Sequence, residues 1–197
     1  PQTFFNILNS NAPLIITACG MSLVMIAGGI DISIGGVAGL VTMSCAVYLD
    51  YHDGSVIGAL GIALGIGLAF GLIQGYLVAY LGIQPFIVTL AGMFFARGLT
   101  TIIHTNPFNV ANKAFVDLKN TRVIVPGMGS VNRIGRYVNA YVEVGVIVAL
   151  LVIVVFFVAL RWTKPGRNLY AVGGNRQSAL MLGINVNRTV FASHILC

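Results

Sequence analysis

The chain has 197 residues, of which 57% are hydrophobic and only 8% charged, and its mean hydropathy is +0.92. Soluble globular domains carry about 25% charged residues, so this composition excludes a water-soluble globular fold. The net charge of +6 does not describe a nucleic-acid face, because the Lys and Arg residues lie between apolar spans and not in a stripe interleaved with aromatics.

In chain order, residues 2–11 are polar and amide-rich, with Asn6, Asn9 and Asn11, and Pro13 suits a first helical turn. A bilayer crossing takes about 20 mostly apolar residues. The pattern predicts spans at 12–30, 34–49, 56–80, 85–103 and 141–160, with a sixth opening at 193–197. The expected fold class is all-α, a polytopic transmembrane helical bundle forming one domain.

Between the first two spans stands Gly28-Gly29-Ile30-Asp31-Ile32-Ser33-Ile34-Gly35-Gly36, one carboxylate between two glycine pairs. An acid there is costly in lipid unless it faces protein or water. A broken backbone is tolerated at membrane depth only where protein covers it or it lines a cavity. Broken apolar helices commonly mark the substrate sites of transporters. Gly29, Asp31, Ser33 and Gly35 are therefore candidate pathway residues. A second reading of Asp31 also stands, as the N-cap of the helix starting near Ile32.

An acidic turn, Asp50-Tyr51-His52-Asp53-Gly54-Ser55, follows the second span. No charge then occurs from Gly54 to Ala96, a run that fits two crossings punctuated by Gly82-Ile83-Gln84-Pro85. Within it Gly61/Gly65 and Gly67/Gly71/Gly75 recur every four residues, a spacing that lets helices approach closely in lipid. The stripe reads as a packing face, with a substrate-lining face as the alternative. Arg97 closes the run, placed to snorkel toward an interface.

Residues 104–139 form the one long polar segment, with Asn106-Pro107, Lys113, Asp117, Lys119, Arg122, Arg133 and Arg136. A short helix is expected at 109–118, and Val123-Ile124-Val125 reads as an extended piece ending in a turn at Pro126-Gly127. After the fifth span, residues 161–188 carry Arg161, Lys164, Arg167, Arg176 and Arg188 with no acid. Lys164-Pro165-Gly166-Arg167 reads as a turn leaving that span. Asn175 can cap a helix over 176–182 that Gly183 stops, with Ala179, Leu180 and 182–184 on a buried side. That helix is either a simple connector or the part a soluble partner pushes on.

One span separates the two basic segments, so they face opposite sides. Each holds five Lys and Arg residues. The shorter, acid-free 161–188 is assigned to the cytoplasm, which puts 104–139 outside with Asp50 and Asp53. The sequon Asn187-Arg188-Thr189 is discounted on that ground.

The chemistry of soluble enzymes is missing. There is no G-x-x-x-x-G-K-[ST], H-E-x-x-H or G-x-S-x-G, the three histidines are far apart, and Glu143 is the only glutamate. No catalytic residue, metal site or cofactor is assigned. Cys19, Cys45 and Cys197 lack ligand spacing and read as small hydrophobes. Asp31 is the only acid in an apolar run, which argues against a self-contained ion-coupled carrier. The chain starts at Pro1 and stops as an apolar run opens, so a fragment is expected.

Three landmarks carry a family resemblance. Gly28-Gly29-Ile30-Asp31-Ile32-Ser33-Ile34-Gly35 resembles the Gly-Gly-Ile-Asp-Leu-Ser-Val-Gly signature of bacterial ATP-binding-cassette sugar-import permeases of the ribose/xylose/galactose type. Pro85-Phe86-Ile87-Val88-Thr89-Leu90-Ala91-Gly92-Met93-Phe94-Phe95-Ala96-Arg97-Gly98 is similar to the family's next landmark, its Ala-Gly-Met-Phe-Phe wording being closest to galactofuranose-type permeases. So is Gly166-Arg167-Asn168-Leu169-Tyr170-Ala171-Val172-Gly173-Gly174-Asn175, followed by Ala179 and Gly183-Ile184. The sequence departs in having Gly36 where Ser is frequent, and in lacking the family's first span and C-terminal half.

The resemblance implies a permease that imports a monosaccharide by alternating access. It would pair with a second permease subunit, identical or different, bind cytoplasmic ABC ATPase subunits and receive sugar from a binding protein outside, in the bacterial inner membrane. Gly173, Gly174, Asn175, Ala179, Gly183 and Ile184 would then lie in the ATPase-coupling region. The competing expectation is a passive channel or another membrane protein that needs no ATPase.

Overall fold

The computed structural model of the chain describes residues 2–106, 108–131 and 137–197. Pro107, Arg133 and Arg136 lie outside the described residues. Among the described residues, five helices are long and apolar enough to cross a membrane: α1 (Gln2–Ile26), α2 (Ile34–Tyr51), α3 (Val56–Ala79), α4 (Pro85–Ile103) and α6 (Val144–Trp162). Shorter helices are α5 (Lys113–Asn120), α7 (Lys164–Gly174), α8 (Arg176–Met181) and α9 (Val186–Leu196). A two-stranded antiparallel sheet, β1 (Arg122–Val131) with β2 (Tyr137–Glu143), completes the described elements. Their outer faces are apolar: only 11% of the α3 and α6 spans is buried inside the chain, and Ile57 and Ile102 are each 81% exposed. Such faces are stable against lipid, not water.

The bundle has two ends. At the hairpin end, α1 begins earlier than the apolar pattern predicts, because its amides find partners in the sheet. Asn9 donates to the Tyr141 carbonyl (3.4 Å) and accepts from the Glu143 amide (3.0 Å). Ala12 packs beneath them on Val146 and Ala149 of α6. Asp50 accepts from the Ala111 amide, and Asn112 donates to the carbonyls of Leu49 and Gly54 while capping α5 at Phe115. This cap fixes the α5 start at Lys113, later than expected.

The extended piece does not end at Pro126-Gly127. β1 runs on to Val131 through an irregularity between Val125 and Gly129, pairing Arg122 with Glu143 and Ile124 with Tyr141. Residues 141–143, placed by hydropathy in the fifth span, belong to this ladder. The Arg122 guanidinium lies 4.2 Å from the Tyr141 ring centre, a cation–π contact.

At the opposite, basic end, Lys164-Pro165-Gly166-Arg167 is not a turn but the first turn of α7. Thr163 caps it by accepting from the Gly166 amide, and Pro165 stands where a missing N–H costs nothing. Val78 and Ala79 of α3, Val88 of α4, Val172 of α7, Ala179 of α8 and Val186 and Val190 of α9 form one buried cluster there. Leu23 of α1 and Ala27 just past its end pack on Leu169 beside it. The described residues of 104–139 and the segment 161–188 thus stand at opposite ends of α6.

Candidate functional site

The break between α1 and α2 is built by glycine and then by carboxylate. Gly28 has φ +83°, the left-handed region that an L side chain rarely adopts. The Gly28 amide donates to the Met25 carbonyl and the Gly29 amide to the Val24 carbonyl, which together close α1 in a Schellman motif. Three residues after Gly28, Asp31 braces the turn that opens α2. Its Oδ1 accepts from the Ser33 amide (2.8 Å) and the Ser33 hydroxyl (2.6 Å), and Cys197 Sγ lies 3.5 Å from Oδ2. The N-cap position of α2 is Ser33, two residues later than the cap expected at Asp31, and Asp31 holds that residue in place. Asp31 is 7% exposed and Ser33 2%.

Depth follows from the neighbours. Ser33 meets Gln74, which precedes the end of α3 at Ala79, and Gly36 meets Met93, beyond the start of α4 at Pro85. At a helical rise of 1.5 Å per residue, the restart lies about 7 to 12 Å inside the basic end. The non-helical segment 27–33 covers that depth, and α2 is correspondingly shorter than α3, 18 residues against 24.

Two residues of this site were not singled out from sequence. Gln74 is 5% exposed, with Oε1 placed 3.2 Å from Ser33 Oγ and Nε2 unpartnered. The single hydroxyl proton is committed to Asp31, so hydrogen-bond chemistry assigns the amide the other way round, its nitrogen donating to Ser33 Oγ. Thr89, fully buried, donates to the Ile30 carbonyl (3.3 Å). The signal was available: both are polar side chains inside a long uncharged run, where any buried hydrogen-bonding group needs a partner. Gly92 leaves room for the Gln74 amide, and a Cβ on Gly36 would come 2.9 Å from the Met93 carbonyl oxygen. Gly36 is thus the close approach between α2 and α4. Gly35 beside it is exposed, with nothing within 4 Å.

The glycine stripe divides. A Cβ on Gly71 would come 2.8 Å from the His194 carbonyl oxygen, and one on Gly75 3.1 Å from the Phe191 ring, so both seat α9 against α3. Gly61, Gly65 and Gly67 meet nothing within 4 Å among the described residues and do not pack within this chain.

The elbow formed by α7 and α8 reaches the break directly. A Cβ on Gly173 would collide with the Ile26 carbonyl oxygen at the end of α1, whereas Gly174 has nothing within 4 Å. Asn175 caps α8 by accepting from the Ser178 amide (2.9 Å). Ala179 is 1% exposed, and Gly183 (φ +77°) with the Ile184 amide closes α8 on the Ala179 carbonyl. The expected buried side of α8 is narrower than its composition implies. Leu180, Met181 and Leu182 are 59%, 88% and 76% exposed. Between elbow, break and α3–α4 turn lies a cavity of about 510 Å³, lined by Gly28, Gly29, Gly82, Gln84, Asn175, Arg176 and His194 among others.

A broken acidic segment buried in a bundle of bilayer-length helices marks a multi-pass membrane protein. The chain belongs to the family described as "Branched-chain amino acid transport system / permease component", whose model matches residues 3–197. It is 34% identical over 191 residues to the inner membrane ABC transporter permease protein YjfF of Escherichia coli K12, covering 97% of this chain and 54% of that protein. It is 37% identical over 188 residues to the fructose import permease protein FruG of Bifidobacterium longum (94% and 53%). To the ribose import permease protein RbsC of Escherichia coli K12 it is 32% identical over 198 residues (100% and 57%). The chain spans about half the length of these curated relatives. No solved structure matches it. The family is described as one of transport-system permease components.

Proposed function

We propose that the chain is part of the permease subunit of an ATP-driven importer for a monosaccharide, seated in the bacterial inner membrane. ATP is hydrolysed on separate cytoplasmic ATPase subunits that dock on the 161–188 elbow. A sugar-binding protein meets the hairpin end outside, and a second permease subunit, identical or different, completes the path. The sugar relatives FruG and RbsC support the substrate class. Asp31 and Ser33, with Gly29 and Gly35, border the path.

The observation that carries the ATPase partner is α8. Three consecutive apolar side chains, Leu180 to Leu182, stand exposed in a segment rich in Arg and Lys, which is how a protein-docking surface is built. Behind them Gly173 rests on the end of α1, so a push on α8 reaches the break through backbone contact. Two packings of the bundle, biased oppositely by the partners, then give alternating access.

The test is purification of the full-length protein with its neighbours. Co-purification with a P-loop ATPase is expected. Met181→Glu and Gly174→Trp, both at positions open in this chain, should lower ATP-driven uptake at least about tenfold, a loss of roughly 1.4 kcal/mol of docking free energy, while insertion is retained. Undiminished uptake in both variants would remove the elbow from the coupling path. Sugar flux without any ATPase would mark a passive channel instead.

A further inference from the structure

Helices α6 and α9 each pack on α1 and on α7, and between them runs a groove of about 430 Å³. Leu23 of α1, Phe156 and Leu160 of α6 and Leu169 of α7 make its walls apolar. Val155 and Leu196, also in its lining, are 52% and 62% exposed, so the groove is open along one side. At the depth of the α6 span that side faces lipid. Along the α6 wall it extends from Val155 to Thr163, about 12 Å at a helical rise of 1.5 Å per residue. A further helix, about 10 Å across, would need on the order of 900 Å³ over that length. The space suits one slender apolar chain.

The chemistry changes at the basic end. Thr163, Asn185 and Arg188 line the groove there, beside Trp162, whose 64% exposed ring suits a membrane interface. The Arg167 guanidinium is turned back to donate to the Trp162 carbonyl (3.5 Å). The Arg188 guanidinium is exposed and has no hydrogen-bond or ion-pair partner among the described residues. Asn185 Oδ1 is taken by the Arg188 amide, which leaves the Asn185 NH₂ group to donate. No acid occurs in residues 2–30 or 144–197, which supply every wall. A free cation and an amide donor without an acid select an anion. The apolar trough leading away from them selects a hydrocarbon chain attached to it.

We propose that this groove binds an anionic phospholipid, one acyl chain lying along α6 and the phosphate held by Arg188 and the Asn185 amide. Basic pockets between membrane helices hold such headgroups. The lipid touches α1, α6, α7 and α9 together, and so clasps the root of the elbow to the fifth span. A leaflet stands at the basic end whichever face it occupies, so the site depends on the membrane fold and not on the transport reading above.

The experiment is native mass spectrometry of the full-length protein from detergent micelles. It is titrated with dioleoylphosphatidylglycerol or with dioleoylphosphatidylcholine, which has the same chains and no net charge. Saturable binding is expected, at least about tenfold tighter for the anionic lipid. Arg188→Gln should weaken that binding about tenfold and erase the preference, whereas Arg188→Lys, which keeps the charge, should keep the preference. Arg161→Gln, exposed at the same end but outside the groove lining, should change nothing. Ala192→Phe fills the groove from an exposed position and should weaken both lipids. Equal binding of the two lipids by the wild type, or equal losses in Arg188→Gln and Arg161→Gln, would overturn the proposal, the basic end then attracting lipid by charge alone. Binding that Ala192→Phe leaves intact would also sink it, the groove then being covered by protein.

Discussion

The adjacent glycines Gly35 and Gly36 show how differently one residue type is used within a single turn. Gly36 sits against the Met93 backbone, where a Cβ would be 2.9 Å from a carbonyl oxygen that cannot swing away. Gly36→Ala is expected to destabilise by about 1–3 kcal/mol, the usual range for overpacking, and to lower the thermal midpoint of the detergent-solubilised protein. Gly35→Ala meets open space and should leave that midpoint unchanged or slightly higher. Ser33→Ala removes the hydroxyl between Asp31 and Gln74, with an expected cost of about 1–3 kcal/mol for buried groups left unpaired. The same melting series measures it, and an unchanged midpoint would contradict the buried network. Asp31 and its glycines were legible in the sequence because charge and backbone freedom are rare inside apolar runs. Gln74 and Thr89 were not, because their roles depend on which helices come to lie opposite them.

Among the elements, α3 and α4 were legible almost to the residue, α4 running Pro85–Ile103 as hydropathy and Pro85 dictate, whereas α1 opens and closes well before the expected 12–30. The errors cluster where hydropathy is silent. Tyr141 to Glu143 look like span residues until β1 supplies their ladder, and Lys164-Pro165-Gly166 looks like a turn until Thr163 caps it as a helix. The end of α8 was legible, since Gly183 adopts the left-handed conformation that its position demands. Gly183→Ala, at φ +77°, should cost about 1–2 kcal/mol. Its effect should stay local, seen as faster hydrogen exchange of the Gly183 and Ile184 amides, which close α8, with exchange in α3 unchanged. Equal acceleration across both elements would mean that the elbow and the bundle unfold as one unit.

At the scale of the whole molecule, hairpin and elbow occupy opposite ends of α6, which leads to a sidedness experiment. In a cysteine-free background, Gly174→Cys should react with an impermeant thiol reagent only from the cytoplasmic face, and Ile124→Cys only from the outer face; both positions are open to solvent-sized reagents. Labelling of both from one face would contradict the fold, and reversed labelling would overturn the orientation alone. The packing also has an order in time. Helices α2, α3 and α4 are consecutive and pack on one another, whereas α1 packs on α6, α7, α9 and β2, all made much later. The Asn9 amide must wait for Tyr141 and Glu143, 132 and 134 positions downstream. During synthesis α1 is therefore parked beside the translocon or in lipid with its polar clasp unfilled. The earliest helix made here is among the last to settle, and a ribosome stalled before residue 143 leaves it without its neighbours.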